Sequence, residues 1–191
     1  RLTSAILTTL KDGFFPIILS GDHSSALGSL AGIKKAYPTK TLGAIWIDAH
    51  ADLHSPFSTP SGNIHGMPLA AALGNDNIEY QKNQVGAQAL LDWEALKNMG
   101  GVPPILAPQH LIYFGVRDYE AEEAAIMEKH QIKNYSVHEL RQRSFEVCIN
   151  ETLKRLEDVD LIYITFDVDA LDCDLISHGT GTPVSKGFDP Q

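Results

Sequence analysis

The 191-residue chain is 43% hydrophobic and 20% charged, which is length and apolar content for one domain with a sizeable core and not for a disordered or low-complexity segment. Its net charge of -9 supplies no basic stripe for nucleic acid or an anionic membrane and, if anything, favours cationic small molecules. Two cysteines, Cys148 and Cys173, leave no disulfide framework and fit a reducing, cytoplasmic compartment, and no signal peptide or membrane-length apolar stretch is visible.

Leu2 to Lys11 reads as an amphipathic helix that the chain has already entered at Arg1. At the other end Gln191 closely follows the Pro/Gly-rich Gly181-Thr-Pro-Val-Ser-Lys-Gly187. Neither end reads as a natural terminus, so the expectation is a single domain over 1–191, truncated at both ends. Apolar runs near 15–19, 43–47, 111–116, 133–137 and 161–166 predict strands. Between them, helical patterns fall near 24–36, 65–73, 87–98, 119–130 and 138–157. In the last, Phe145, Ile149, Leu153 and Leu156 recur at helical spacing and are expected to face the sheet. Strand and helix alternating in this way predicts an α/β fold with a mainly parallel central sheet covered on both faces. Ligands of such sheets bind beyond the carboxyl ends of the strands.

Those ends carry the chemistry. Gly43-Ala-Ile-Trp-Ile47 hands directly to Asp48-Ala-His50-Ala-Asp52, and Leu161-Ile-Tyr-Ile-Thr-Phe166 to Asp167-Val-Asp169. In an extended chain residues i, i+2 and i+4 share a side, so Asp48, His50 and Asp52 are expected to converge, as are Asp167 and Asp169. Carboxylates packed this closely repel one another unless cations neutralise them. About four negative charges match two divalent ions, which is the pattern of a dinuclear centre. His23, after the apolar run Phe15–Leu19, is the natural third contributor. Imidazole and carboxylate without thiolate favour harder ions, Mn(II) ahead of Fe(II) or Co(II). Asp22 and Asp172, taken singly, read as turn or cap residues, with Asp22 also able to hold a neighbouring imidazole. His110, His130 and His138 read as ordinary surface or core residues.

Two loops follow. The polar stretch Leu53 to Gly66 precedes an Ala/Leu-rich helix, and within it Ser61 and Asn63 are placed to bind a polar ligand and His65 to move protons near neutral pH. The segment Arg117-Asp118-Tyr-Glu120-Ala-Glu122-Glu123 offers acidic groups that would equally suit a helix N-terminus.

Taken together, Ser20-Gly-Asp-His-Ser24, Ile47-Asp-Ala-His-Ala-Asp52, Ser61-Gly-Asn-Ile-His-Gly66, Gly115-Val-Arg-Asp118, and Phe166-Asp-Val-Asp-Ala-Leu-Asp172 followed by Gly181-Thr-Pro183 resemble, in order, the motifs of the ureohydrolases, specifically the arginases. The resemblance runs over nearly the whole chain. It implies a three-layer α/β/α fold and a hydrolase acting on linear amidine C–N bonds. It further implies two Mn(II) ions, the first held by His23 and Asp52, the second by His50 and Asp169, with Asp48 and Asp167 shared by both. A bridging hydroxide on those ions would attack the guanidinium carbon of L-arginine and yield L-ornithine and urea, so that Asp48 and Asp167 count as catalytic together with the proton-shuttling His65. His54, Ser61 and Asn63 correspond to positions at the substrate carboxylate, Glu120 and Glu123 to positions at the α-amino end, and Thr182 to the loop lining the site. The small-molecule guanidino substrate, with no nucleic acid or membrane partner, and a homotrimer or homohexamer also follow from the resemblance.

The chain departs from the family in places. His54 stands where many arginases have Asn, Ser20 where Gly is usual, and Cys173 where Pro is frequent. The family's guanidinium-binding Glu falls beyond Gln191. Agmatinase, formimidoylglutamase and guanidino-acid hydrolase share the metal motifs and are the rival readings, with a non-catalytic scaffold that keeps the fold as a third.

Overall fold

Strand β1 (Leu42–Ile47) is central in a four-stranded sheet of order β3-β2-β1-β4, with β2 (Leu111–Phe114), β3 (Lys133–Tyr135) and β4 (Leu161–Phe166). The computed structural model describes residues 1–190 and divides into two compact units, residues 1–42 with 52–107 and residues 43–51 with 108–190. β1 pairs in parallel with β2, Ala44 opposite Leu111 and Ile47 opposite Phe114, and β2 in parallel with β3, Ile112 opposite Lys133. Such parallel strands have no tight hairpin between them and require crossovers, which here include the helices α5 (Ala121–Lys129), α6 (Val137–Arg143) and α7 (Phe145–Arg155).

The core of this sheet unit joins Ile112, Phe114, Tyr135, Leu140, Cys148 and Leu156, with Ile45, Ile47, Val159 and Phe188 against it. Each fully buried aliphatic side chain contributes about 1.5–3 kcal/mol. The predicted helix over 138–157 is two helices. Ser144, at φ 73°, interrupts it, and its Oγ accepts from Val147 N as the cap of α7. Of the inward stripe expected here, Leu156 is buried and the other three positions are not. Cys148, Thr152 and Leu156 are buried, whereas Phe145, Ile149 and Leu153 are about half exposed. Thr152 tolerates the interior because its hydroxyl donates to Cys148 O at 2.9 Å.

The other unit packs α1 (Leu2–Lys11) on α2 (Ser25–Ala36), with α3 (Pro68–Leu73) and α4 (Ala87–Lys97). Close approach of α1 and α2 depends on Gly32, where a Cβ would sit 2.6 Å from Ile6 Cβ. α3 is buried along its whole length, starts with Pro68 and stops at Gly74 in the left-handed conformation. The strand expected over 15–19 does not form. These residues take no regular structure, and Phe15, Ile17 and Leu19 are 88%, 83% and 95% exposed. Alternation can mark an apolar face, but a strand exists only where a neighbour takes its backbone hydrogen bonds. No described helix is long and apolar enough to cross a membrane.

Candidate metal centre and substrate loops

Asp48 is the first residue after β1, and its backbone N–H continues the ladder to Phe114 O at 3.2 Å. The buried carboxylate accepts from Trp46 Nε1 at 2.9 Å and from His50 N at 2.8 Å, so a turn and not further extended chain brings His50 back towards it. His50 Nδ1 lies 3.6 Å from Asp48 Oδ1 and 3.0 Å from Asp169 Oδ2. Ligand atoms of Asp48, His50 and Asp169 fall within 4.8 Å of one another.

Asp169 reaches this position from the end of β4 by a short 3-10 turn, Val168–Ala170, not by strand alternation. Asp167 starts that turn, its Oδ1 accepting from Asp169 N at 3.1 Å. Asp169 Oδ1 then accepts from Ala49 N at 3.2 Å. Thr182 Oγ1 donates to Asp169 Oδ2 at 3.3 Å, which ties the downstream loop to the same carboxylate.

Burial would lower the His50 imidazole, but its hydrogen bonds to Asp169 and Asp48 and their charges push it up to about 11. The ring therefore carries a proton at neutral pH when carboxylates surround it, Asp118 among them with its Oδ2 3.6 Å from His50 Nε2. A divalent ion would take over that proton's electrostatic role, since imidazole ligates as the neutral base. Two carboxylates and an imidazole, buried or half-buried and without a thiolate, are a donor set that could hold a divalent metal ion.

In the helical unit His23 Nδ1 lies 3.1 Å from Asp52 Oδ2, and both side chains are buried. Asp52 is left-handed at φ 53°, a conformation Asp tolerates better than most residues, so its side chain departs from the alternation expected from Asp48. Its carbonyl is held by Leu69 N at 3.1 Å. Asp22, by contrast, is exposed and acts as a turn residue. Its Oδ1 accepts from both the backbone and the hydroxyl of Ser24, and these bonds hold its carboxyl below the usual range.

The loop after Asp52 is closed on itself, with His54 N donating to Gly66 O at 3.0 Å. Ser55 O accepts from Ser58 N and Thr59 N, Ser58 Oγ accepts from Ser55 N at 3.1 Å, and His54 Nδ1 is 3.4 Å from Ser58 Oγ. His54, Ser55, Ser58 and Thr59 are buried, whereas Ser61 and Asn63 are exposed at the tip. His65 is half-buried in the 3-10 turn Ile64–Gly66. The sequence missed what holds this loop from outside. Asn83 Nδ2 donates to Pro56 O at 3.1 Å and to Thr59 O at 2.7 Å. Ser55 Oγ donates to Asp76 O, and the Asp76 carboxylate takes Trp93 Nε1 and Lys97 Nζ, each at 2.7 Å.

Glu120 and Glu123 form the capping box of α5, Glu123 Oε2 accepting from Glu120 N at 3.1 Å. Glu123 is buried and Glu120 exposed, so the helix-start reading of this acidic run applies to both and leaves Glu120 accessible. Arg117 carried no role in the sequence reading beyond its motif. Its guanidinium donates to a series of backbone carbonyls around Asp169.

The sequence profile described as "Arginase family" matches residues 1–191. The arginase of Bacillus caldovelox is 37% identical over 98% of the chain and 57% of its own length. The crystal structure of Bacillus subtilis arginase superposes with a TM-score of 0.83 at 35% identity, over 98% of this chain and 58% of that one. Helicobacter pylori arginase gives 0.84 at 28% identity, over 99% and 61%. The chain thus spans about 57% of the length of the curated relatives it matches. Its α/β architecture is the three-layer fold of those proteins, and the chain belongs to the arginase family.

Proposed function

We propose that the protein of which this chain is part hydrolyses the guanidinium group of L-arginine to L-ornithine and urea, using two Mn(II) ions held by His23, Asp48, His50, Asp52, Asp167 and Asp169. The observation that carries the reading is the His50 imidazole between the buried Asp48 and Asp169 carboxylates that follow β1 and β4, a costly charge cluster that a divalent cation stabilises. When bound, such ions supply at neutral pH a nucleophile that free water does not. The chain's own residues do the rest. His65, half-buried in its turn, moves the proton that the departing amine requires. Ser61 and Asn63, exposed at the tip of a rigid loop, orient the substrate carboxylate, with His54 able to donate one hydrogen bond beside them. Glu120 and Glu123 attract the α-ammonium end, and Thr182 lines the site while steadying Asp169.

The assembly we infer is a homotrimer or homohexamer in the cytoplasm, with residues 1–191 belonging to one ureohydrolase domain. Unbridged Cys148 and Cys173 accord with a reducing compartment.

The test is urea release by the full-length protein loaded with Mn(II), on L-arginine, agmatine, formimidoylglutamate and a guanidino acid side by side. Preference for arginine supports the proposal. Equal turnover of agmatine would remove the role given to Ser61 and Asn63, and no turnover of any of them despite bound Mn(II) would leave a scaffold that merely keeps the fold.

A further inference from the structure

We propose that Arg117 is a positioning residue that holds Asp169 in ligating geometry and fastens the Thr182 loop to it; this rests on the reading of Asp169 as a metal ligand. Arg117 lies three residues beyond β2, and its own backbone N–H donates to Ala49 O at 2.8 Å, within the turn that carries Asp48 and His50. From there the guanidinium spreads over two separate stretches of chain. Nη2 donates to Asp169 O at 3.0 Å and to Val184 O at 2.8 Å, with Leu171 O at 3.4 Å. Nη1 donates to Gly115 O at 3.1 Å and approaches Ala170 O at 3.4 Å, and Nε donates to Ser185 O at 2.9 Å.

Three consecutive carbonyls, those of Asp169, Ala170 and Leu171, thus converge on one planar cation. Fixing their peptide planes fixes the 3-10 turn from which the Asp169 side chain projects. The same cation holds Val184 and Ser185, two and three residues beyond Thr182, whose hydroxyl reaches Asp169 Oδ2. The two stretches are further joined by Phe188 N to Ala170 O and Asp172 N to Phe188 O, both at 2.9 Å. They lie so close at Gly187 that a Cβ there would be 2.4 Å from Leu171 C. Only a guanidinium, with five N–H groups in a rigid fork, can serve so many carbonyls at once; a lysine ammonium has three donors on one atom. Groups behind a metal ligand orient it, and their loss commonly costs about 10- to 100-fold in metal affinity.

The experiment uses full-length protein and Mn(II), with Arg117→Lys and Arg117→Gln compared by EPR titration of free Mn(II), circular dichroism, and kcat as a function of Mn(II). Expected is a folded variant that keeps one tight ion and binds the other about 10- to 100-fold more weakly, with kcat recovering as Mn(II) is raised. A variant that binds both ions with wild-type affinity, whatever its melting temperature, would overturn the proposal, because a purely structural role lowers stability without changing the ion dependence. Should wild-type protein itself bind no Mn(II), it is the reading of Asp169 that fails, and with it the parent function.

Discussion

The loop from Asp52 to Gly66 and the segment from Asp167 to Phe188 both follow acidic motifs, yet they are held in opposite ways. The first is organised mainly by bonds between residues three or four apart, such as Thr59 N to Ser55 O and Gly62 N to Thr59 Oγ1, with Asn83 and Asp76 added from about twenty residues on. The second has short-range bonds too, such as Leu175 N to Asp172 O, but its two stretches are also gathered by Arg117, which reaches them across more than fifty residues of sequence, |i−j| being 52 for Asp169 and 67 for Val184. A loop with local bonds loses little when one of them is removed. Where one cation serves carbonyls on two stretches, its loss frees several of them together.

The largest effect that follows is on the ligands themselves. Asp48→Ala removes the acceptor of Trp46 Nε1 and His50 N as well as a proposed metal ligand, so urea release should fall by more than the ~10²-fold that a supporting residue commands, with loss of bound Mn(II) by elemental analysis. Retention of two ions and of activity would end the metal reading of the β1 terminus. Chelation is the milder form of the same test. Where free Mn(II) stood at 100 times its dissociation constant, its removal should lower unfolding stability by about 2.7 kcal/mol, read from denaturant midpoints with and without chelator. An unchanged midpoint would mean that no ion is linked to the fold.

Asn83→Ala sharpens the comparison on the first loop. Two amide hydrogen bonds disappear, each worth about 0.5–1.5 kcal/mol, but the local bonds remain. The expected outcome is a KM for L-arginine raised about tenfold with kcat within about twofold, since a tenfold change is 1.4 kcal/mol. The KM for agmatine, which lacks the carboxylate, should stay where it was. A matched rise for both substrates would show that Asn83 supports the whole unit and not the loop tip.

These contrasts also explain what could be read from the chain beforehand. β1, β2 and β4 announce themselves because their apolar runs are buried or paired with neighbours, and the acidic residues stand where the runs stop. That Asp48, His50 and Asp169 would gather, and His23 with Asp52, was legible; the way they meet was not. Strand alternation would have delivered Asp52 and Asp169, but a left-handed residue and a 3-10 turn deliver them instead. Such turns depend on long-range acceptors like the carbonyls Arg117 serves, and a single sequence does not say which side chain will find which carbonyl. The run Phe15–Leu19 has a strand's composition without a strand's hydrogen bonds, and α7 turned its Cys148–Thr152–Leu156 stripe inward because a small residue and a self-satisfied hydroxyl pack as well as the larger ones beside them.

A local ion network on α6 sets the lower end of the scale. Glu139 Oε1 lies 2.9 Å from Lys133 Nζ and 2.7 Å from Arg143 Nη1, and Arg143 also pairs with Glu151. Partial burial pushes the Glu139 carboxyl up, but the bonds to Lys133 and Arg143 outweigh it and hold the group below its ordinary value of 4.5. A carboxyl that is more acidic in the folded state stabilises that state above the unfolded value and loses the contribution as pH falls through the folded one. Stability should therefore decline below about pH 4.5 in part through this residue, and Glu139→Gln should cost about 0.5 kcal/mol at pH 7 while removing that share of the acid sensitivity. Denaturant midpoints of both proteins at pH 7 and pH 3.5 measure it. The gap between them should narrow at the lower pH, because there the unfolded chain takes up a proton at Glu139 that the paired carboxyl of the folded state resists, whereas the glutamine has none to take up. A gap that stays constant would mean that Glu139 acts through packing on α6, and that charge within three or four residues contributes still less to this fold than the local bonds of the Asp52–Gly66 loop.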